Sequence, residues 1–222
     1  MTPVTVLLDI DGTLVDSNYH HALAWNRALR RGGLVVPLAE IHRSIGMGAD
    51  QLLERFAPDR DDPFEEWWHD GFEPLIDELA PTPGAGDLVR HIAAQGATNV
   101  YATSGSEQDV DRLRAIIGAD SVVARSVNSS EVDASKPAPD IFELAMKRVD
   151  ADRERTIVLG DSVYDIHAAS ECGIGCVAVT CGGFGRGELI DAGALAVYDD
   201  PRDLHEHWAG SPIAALIDRS QD

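Results

Sequence analysis

Lysine is nearly missing from this chain of 222 residues: Lys136 and Lys147 are the only two, beside sixteen arginines. Positive charge of any kind is short, and the formal net charge is −20. A phosphate backbone is held by Lys and Arg, so nucleic acid is excluded as a partner, and anionic membrane surfaces with it. Long apolar runs are absent too; nothing approaches the roughly 18–20 residues a membrane-spanning helix needs. The N-terminal stretch MTPVTVLLDIDG has no basic region and runs straight into acid, so it reads as a strand and not as a signal peptide. Cysteine is limited to Cys172, Cys176 and Cys181, an odd number without a CxxC pair. That excludes a zinc site and suits buried thiols in a reducing compartment, the cytoplasm. The eight histidines form no HExxH or similar pair.

What is present is a regular alternation. Val4 to Ile10 is short, apolar and β-branched, as in a strand buried on both faces, and it ends at the turn Asp11-Gly12-Thr13. Residues 18–83 then read as helices alone. Ala22, Trp25 and Leu29 make one stripe, and Leu52, Leu53 and Phe56 another after Gly46-Met47-Gly48. Asp62-Pro63 reads as an N-cap and first helical position, and Leu75, Ile76 and Leu79 close the last helix before Pro81-Thr82-Pro83-Gly84. Beyond Gly84 the spacing predicts strands at 99–103, 121–124, 156–159, 175–179 and 194–198, with helices between. Ser106-x-x-Asp109 resembles a capping box for one of them. Such alternation implies an α/β fold with a parallel sheet and helices on both faces. The expected organisation is a core of 1–17 and 84–222 with an inserted helical unit, 18–83.

Ligands of such sheets bind beyond the carboxyl ends of the strands. Those ends carry Asp9-Ile10-Asp11-Gly12-Thr13, then Thr103-Ser104-Gly105-Ser106, then Lys136-Pro137 in the loop after the third strand, then Gly160-Asp161-Ser162 with Asp165. Asp9 and Asp11 alternate on an extended chain and point the same way. Asp165 follows Asp161 by about one helical turn. Carboxylates crowded together need a cation to stay ionised, and hard oxygen ligands suit Mg2+.

In this order and spacing the four motifs resemble the haloacid dehalogenase superfamily of phosphohydrolases. The inserted helices resemble its subclass with a small helical cap, which includes phosphoglycolate phosphatase-like enzymes and β-phosphoglucomutase. The resemblance implies a Rossmann-like three-layer sandwich and a phosphomonoester hydrolase. Asp9 would be the nucleophile, forming an aspartyl-phosphate, and Asp11 would protonate the leaving alkoxide and then activate water. Mg2+ would bind the Asp9 carboxylate, the Asp11 backbone carbonyl and Asp161, with Asp165 in support. Thr103 and Lys136 would hold the phosphoryl oxygens, with Ser104 and Gly105 beside them. Candidates for substrate contact from the inserted helices are His21, which also reads as a hinge histidine, and Arg43 with the Gly46-Met47-Gly48 turn, which also reads as surface and turn chemistry. Asp16 and Ser17 are expected to support the first turn, Trp67 and Trp68 to pack the cap, and Gly182-Gly183 to turn out of a strand.

Departures from related branches narrow the expectation. The carbon–halogen branch lacks the second aspartate, present here as Asp11. The phosphonate branch needs a cap lysine, and residues 18–83 contain none. The mutase branch places an arginine after the cap turn, where this chain reads Ala49-Asp50. Hexose phosphomutase is the second enzyme reading, with Arg43 as substitute. A phospho-accepting signalling or binding protein is the reading from another class. The expected substrate is phosphoglycolate or a sugar phosphate, and the expected state a monomer or homodimer.

Overall fold

The computed structural model describes residues 2–105 and 107–219, with the side chains of Glu107 and Gln108 left aside. The elements in chain order are β1 (Thr5–Leu8), α1 (Asn18–Arg31), α2 (Leu38–His42), α3 (Ala49–Phe56), α4 (Phe64–Phe72), α5 (Ala85–Ala94), β2 (Thr98–Ala102), α6 (Glu107–Ile117), β3 (Val123–Val127), α7 (Asp140–Arg148), β4 (Thr156–Gly160), α8 (Val163–Glu171), β5 (Gly175–Val179), α9 (Arg186–Asp191), β6 (Ala196–Tyr198), α10 (Pro201–Glu206) and α11 (Pro212–Asp218). The strands form one parallel sheet in the order β3-β2-β1-β4-β5-β6.

β1 explains the architecture. Its successive side chains point to opposite faces. Val6 and Leu8 enter one apolar cluster with α5, α10 and α11, while Leu7 enters the other with α7 and α8. Both faces are therefore dry, and the strand has to be apolar throughout. The order β2-β1-β4 also makes β1 the place where the chain changes direction across the sheet. A crevice opens there at the carboxyl ends of the strands.

Residues 18–78 contain α1 to α4 and a 3-10 turn, Glu73–Glu78. They pack a separate apolar cluster around Trp25, Leu29, Ile41, Leu52 and Phe64. The chain returns at Pro81, which bridges to Val15, and the Asp16 N–H donates to the Ala80 carbonyl at 2.9 Å.

Three expectations shift in detail. The third strand is Val123–Val127 and not 121–124, because Asp120–Val122 forms a 3-10 turn. This edge strand exposes Ala124 and Arg125, so its apolar signal is weak. Pro63 itself occupies the N-cap of α4, one position later than expected. Leu75 and Ile76 lie in the 3-10 turn beginning Glu73-Pro74, since Pro74 has no N–H to continue an α-helical ladder. The capping box at Ser106 lies outside the described residues.

Candidate active site

β1 delivers Asp9 one residue past its end, where the Asp9 N–H still donates to Leu159 of β4 at 2.9 Å. Gly12 then turns the chain with φ +77°. A Cβ there would come within 2.6 Å of Asp161 Oδ2, so the turn needs glycine for space as well as for φ. The turn sends the two aspartates to different partners.

Asp9 faces down into the protein. Its Oδ1 accepts from Lys136 Nζ at 2.6 Å, and its Oδ2 accepts from Thr13 Oγ1 at 3.1 Å. Thr13 is shared with Asp161, whose Oδ1 is 3.2 Å away. Lys136 is 1% exposed and also reaches Asp165 Oδ1 at 2.8 Å and the Ala102 carbonyl at 3.0 Å. The ammonium thus lies against three oxygens, donating to Asp9 and Ala102 and ion-paired with Asp165, the company an almost wholly buried cation requires. Asp165 is held from the other side by the start of α8. Ser162 caps the helix, and Asp165 Oδ2 accepts from its N–H and Oγ, completing a capping box.

Oxygens of Asp9, Asp161 and Asp165 lie within 4.8 Å of one another, all three residues buried. One lysine does not balance three carboxylates. Burial, with the charges of Asp165 and Asp9, pushes the Asp161 carboxyl well up. Burial pushes Asp9 up to about 7 against the pull of Lys136. Lys136 is itself held above its ordinary value, because Asp165 and Asp9 outweigh its burial. A divalent cation fits this donor set: buried, oxygen-only and short of positive charge.

Asp11 is separate. Its Oδ1 accepts from Ser17 Oγ at 2.6 Å and lies 2.8 Å from His21 Nε2; its Oδ2 accepts from Thr103 Oγ1 at 3.2 Å. Burial alone would raise its pKa, but His21, Ser17 and Thr103 together hold it below the ordinary value. Ser17 stands at the N-cap of α1 yet spends its hydroxyl on Asp11 and leaves the helix uncapped. His21 is buried and stacks on Phe72 at 4.1 Å between ring centroids and on Trp68 at 5.6 Å.

A cavity of about 620 Å³ opens above Asp9 and Asp11. His21, Thr103, Ser104 and Gly105 line it, as do Gly46 and Met47. The Gly46-Met47-Gly48 turn is pressed against the core. Ser104 Oγ lies 3.5 Å from the Gly46 carbonyl, and a Cβ on Gly46 would meet Ser162 at 2.8 Å. Trp68 lines the cavity, whereas Trp67 packs edge-on against Phe64.

Arg43 is not brought to this cavity. Its guanidinium pairs with Glu188 of α9 on the outside and lies over Phe184, and its carbonyl accepts from Tyr164 Oη at 2.7 Å. It joins α2 to the core away from the chemistry. Two residues not expected at the site do belong to it: Asn18, and Gly182, which was expected only to turn out of a strand. Asn18 Nδ2 donates to Asp161 Oδ2 at 2.9 Å and to the Gly182 carbonyl at 3.0 Å. Gly182 passes so close to Asp161 that any side chain would collide with the carboxylate. Asn18 opens a helix in the sequence, and only the fold shows that it faces a strand end 143 residues away.

Residues 4–173 match the sequence profile of the haloacid dehalogenase-like hydrolases. This chain belongs to that family. Among its relatives is a phosphoglycolate phosphatase of Rhodospirillum rubrum, 28% identical over 226 residues, covering 95% of this chain and 92% of its own length. A bifunctional riboflavin kinase/FMN phosphatase of Arabidopsis thaliana is 28% identical over 180 residues; the match takes 78% of this chain but only 48% of that longer protein. The crystal structure of a hydrolase from Pseudomonas syringae is 31% identical and superposes with a TM-score of 0.87, covering 93% of this chain and 98% of the other. The haloacid dehalogenase-like fold thus extends over nearly the whole chain. Among the described residues, no helix is long and apolar enough to cross a membrane.

Proposed function

We propose that this hydrolase cleaves small phosphomonoesters, in the range of phosphoglycolate and sugar phosphates, through an aspartyl-phosphate on Asp9. The observation that carries the reading is the division of labour between two aspartates. Asp9 sits among Lys136, Asp161 and Asp165, and Asp11 sits among His21, Ser17 and Thr103.

In this reading an oxygen of Asp9 attacks phosphorus as the P–O bond to the ester oxygen breaks. The leaving alkoxide takes a proton held between Asp11 Oδ1 and His21 Nε2. Asp11, again ionised, then draws a proton from a water that attacks the phosphorus and frees Asp9. Its lowered pKa suits the second step; the contact with His21 supplies a place to hold the proton for the first. Lys136, and Thr103 once it swings from Asp11, neutralise the phosphoryl oxygens. Asp9, Asp161, Asp165 and the Asp11 carbonyl are the groups to hold Mg2+, which when bound would offset the crowded carboxylates and polarise the phosphoryl group. Residues 18–83 act as a cap that closes the cavity and keeps bulk water from the phosphoaspartate.

A mutase has to hold a second phosphate while the sugar turns over. Among the described residues lining the cavity there is neither Lys nor Arg, and Ala49-Asp50 follows the cap turn where the mutase branch places an arginine. A signalling module needs no 620 Å³ chamber above its aspartate. The test is phosphate release from a panel of phosphomonoesters with and without Mg2+. Metal-dependent release from some of them is expected; no release from any would refute the reading.

A further inference from the structure

The cavity carries further negative charge beyond Asp9 and Asp11. Asp50, Glu65 and Asp133 line it together with Trp25, Trp68 and His69. All three acids are exposed. Among the described residues neither Glu65 nor Asp133 has an ion-pair partner, and Asp50 is met by the Ser135 N–H and the Gln51 amide, both at 3.4 Å. Trp25 and Trp68 stack on each other, 5.7 Å between centroids and 24° between planes.

Among the described residues lining the cavity, His21 and His69 are the basic side chains, and neither Lys nor Arg is there to balance these acids. Lys136 is committed to Asp9, Asp165 and Ala102, and Arg43 to Glu188. The residues outside the described ones contain no Lys or Arg in the sequence. A leaving group bearing a carboxylate or a second phosphate would therefore stand among like charges with no Lys or Arg as counter-ion. An ammonium would gain from the carboxylates, with the Trp25 and Trp68 rings as apolar wall. A hydroxyl would gain and lose little either way. The net charge of −20 acts in the same direction, raising the local concentration of cationic groups at the cavity mouth.

We propose that the leaving group of the preferred ester carries an ammonium, received by Asp50, Glu65 and Asp133 against the Trp25 and Trp68 walls, and that the cavity rejects a second anion. This rests on the phosphomonoesterase reading and narrows its substrate class, moving phosphoglycolate, whose leaving group is anionic, to the disfavoured end of that range.

The test uses two matched series with Mg2+ present. One is 2-aminoethyl phosphate, 2-hydroxyethyl phosphate and phosphoglycolate, which differ only in the terminal group. The other, less closely matched because its last member is an open chain, is glucosamine 6-phosphate, glucose 6-phosphate and 6-phosphogluconate. In the faster series kcat/KM should fall from amine to hydroxyl to carboxylate, by about tenfold at each step. The double variant Glu65→Gln, Asp133→Asn should bring the three values towards one another, chiefly by raising the carboxylate and lowering the amine. A merely structural role for the pair would lower all three together. The proposal is overturned if the carboxylate ester equals or beats the amine, or if the double variant leaves their ratio unchanged. If no ester in either series is hydrolysed, the phosphatase reading has failed. The charge preference is then decided by calorimetric binding of the same six compounds, with the same order expected and equal affinities overturning it.

Discussion

The two ends of the cavity are built on opposite terms. Around Asp9 the charges are buried and closely held, though short of positive charge: a lysine near three oxygens, a threonine shared by two carboxylates, and a helix cap holding the third. At the other end, exposed acids and stacked indoles stand apart from counter-charges. In the proposed reading precision is kept around Asp9, and the freedom to choose a leaving group sits on the inserted helices and the loop after β3. Substitutions at the buried end should destroy activity whatever the ester. Substitutions at the open end should change which ester is preferred.

The largest effect belongs to Asp9→Asn. Phosphate release from every ester should fall on the order of 10⁴-fold or more, while circular dichroism and Tm show the fold intact. Retained turnover would break the comparison at its buried end. Lys136→Ala comes next. It should cost about 2–4 kcal/mol of transition-state stabilisation in kcat/KM, as loss of a charge-stabilising donor does. Its Tm should also drop, because Asp9 and Asp165 lose their buried counter-ion. An unchanged kcat/KM would remove Lys136 from the chemistry.

His21→Asn should lower kcat by about 10–100-fold, the range of a lost proton-transfer partner. Without the imidazole, burial is less opposed at Asp11, so the acid limb of the kcat/KM profile should move to higher pH. A profile that only scales down, without moving, would assign His21 to packing against Phe72 and Trp68.

The buried acid cluster has a pH signature of its own. Asp9 and Asp161 hold protons more tightly folded than unfolded. For Asp9 the window runs from the ordinary 3.8 to about 7. Within it the native state binds more protons than the unfolded chain, so the contribution of these groups to stability falls as pH rises. A cation that takes the place of those protons reverses the loss. The rise in Tm on adding Mg2+ should therefore grow from pH 5 to pH 8, as followed by scanning fluorimetry; a pH-independent rise would put the metal elsewhere. The smallest effect is expected outside the cavity. Arg43→Ala removes an exposed ion pair with Glu188 and should change KM by no more than about threefold. A larger change that follows the ester used would bring Arg43 into the site after all.

Much of the buried end was legible because each group sits at the end of an apolar strand or just beyond it. Asp9, Thr103 and Asp161 follow β1, β2 and β4, and once the sheet is parallel their meeting follows from the alternation alone. The scarcity of lysine singled out Lys136. The open end was much less legible. Glu65 and Asp133 lie on a helix and a loop 68 residues apart, with nothing in their local pattern to set them off from the other acids of a strongly acidic chain. Arg43 failed as a site residue for the same reason. Sequence distance from the Gly46-Met47-Gly48 turn says nothing of which side of α2 faces the cavity, and the guanidinium found Glu188 on the outer side. β3 slid by two residues because an edge strand with one exposed side loses its apolar signal.

The sequence by itself determined the parallel sheet, the helical insertion and the set of groups at the strand ends, because strand and helix periods and turn glycines act over a few residues at a time. Only the tertiary structure decided which carboxylate faces the lysine and which faces the histidine. It brought Asn18 and Gly182 against Asp161 and placed the acids and indoles of the far wall in one cavity. Those outcomes depend on how the Gly12 turn and the packing of the inserted helices orient side chains that are distant along the chain.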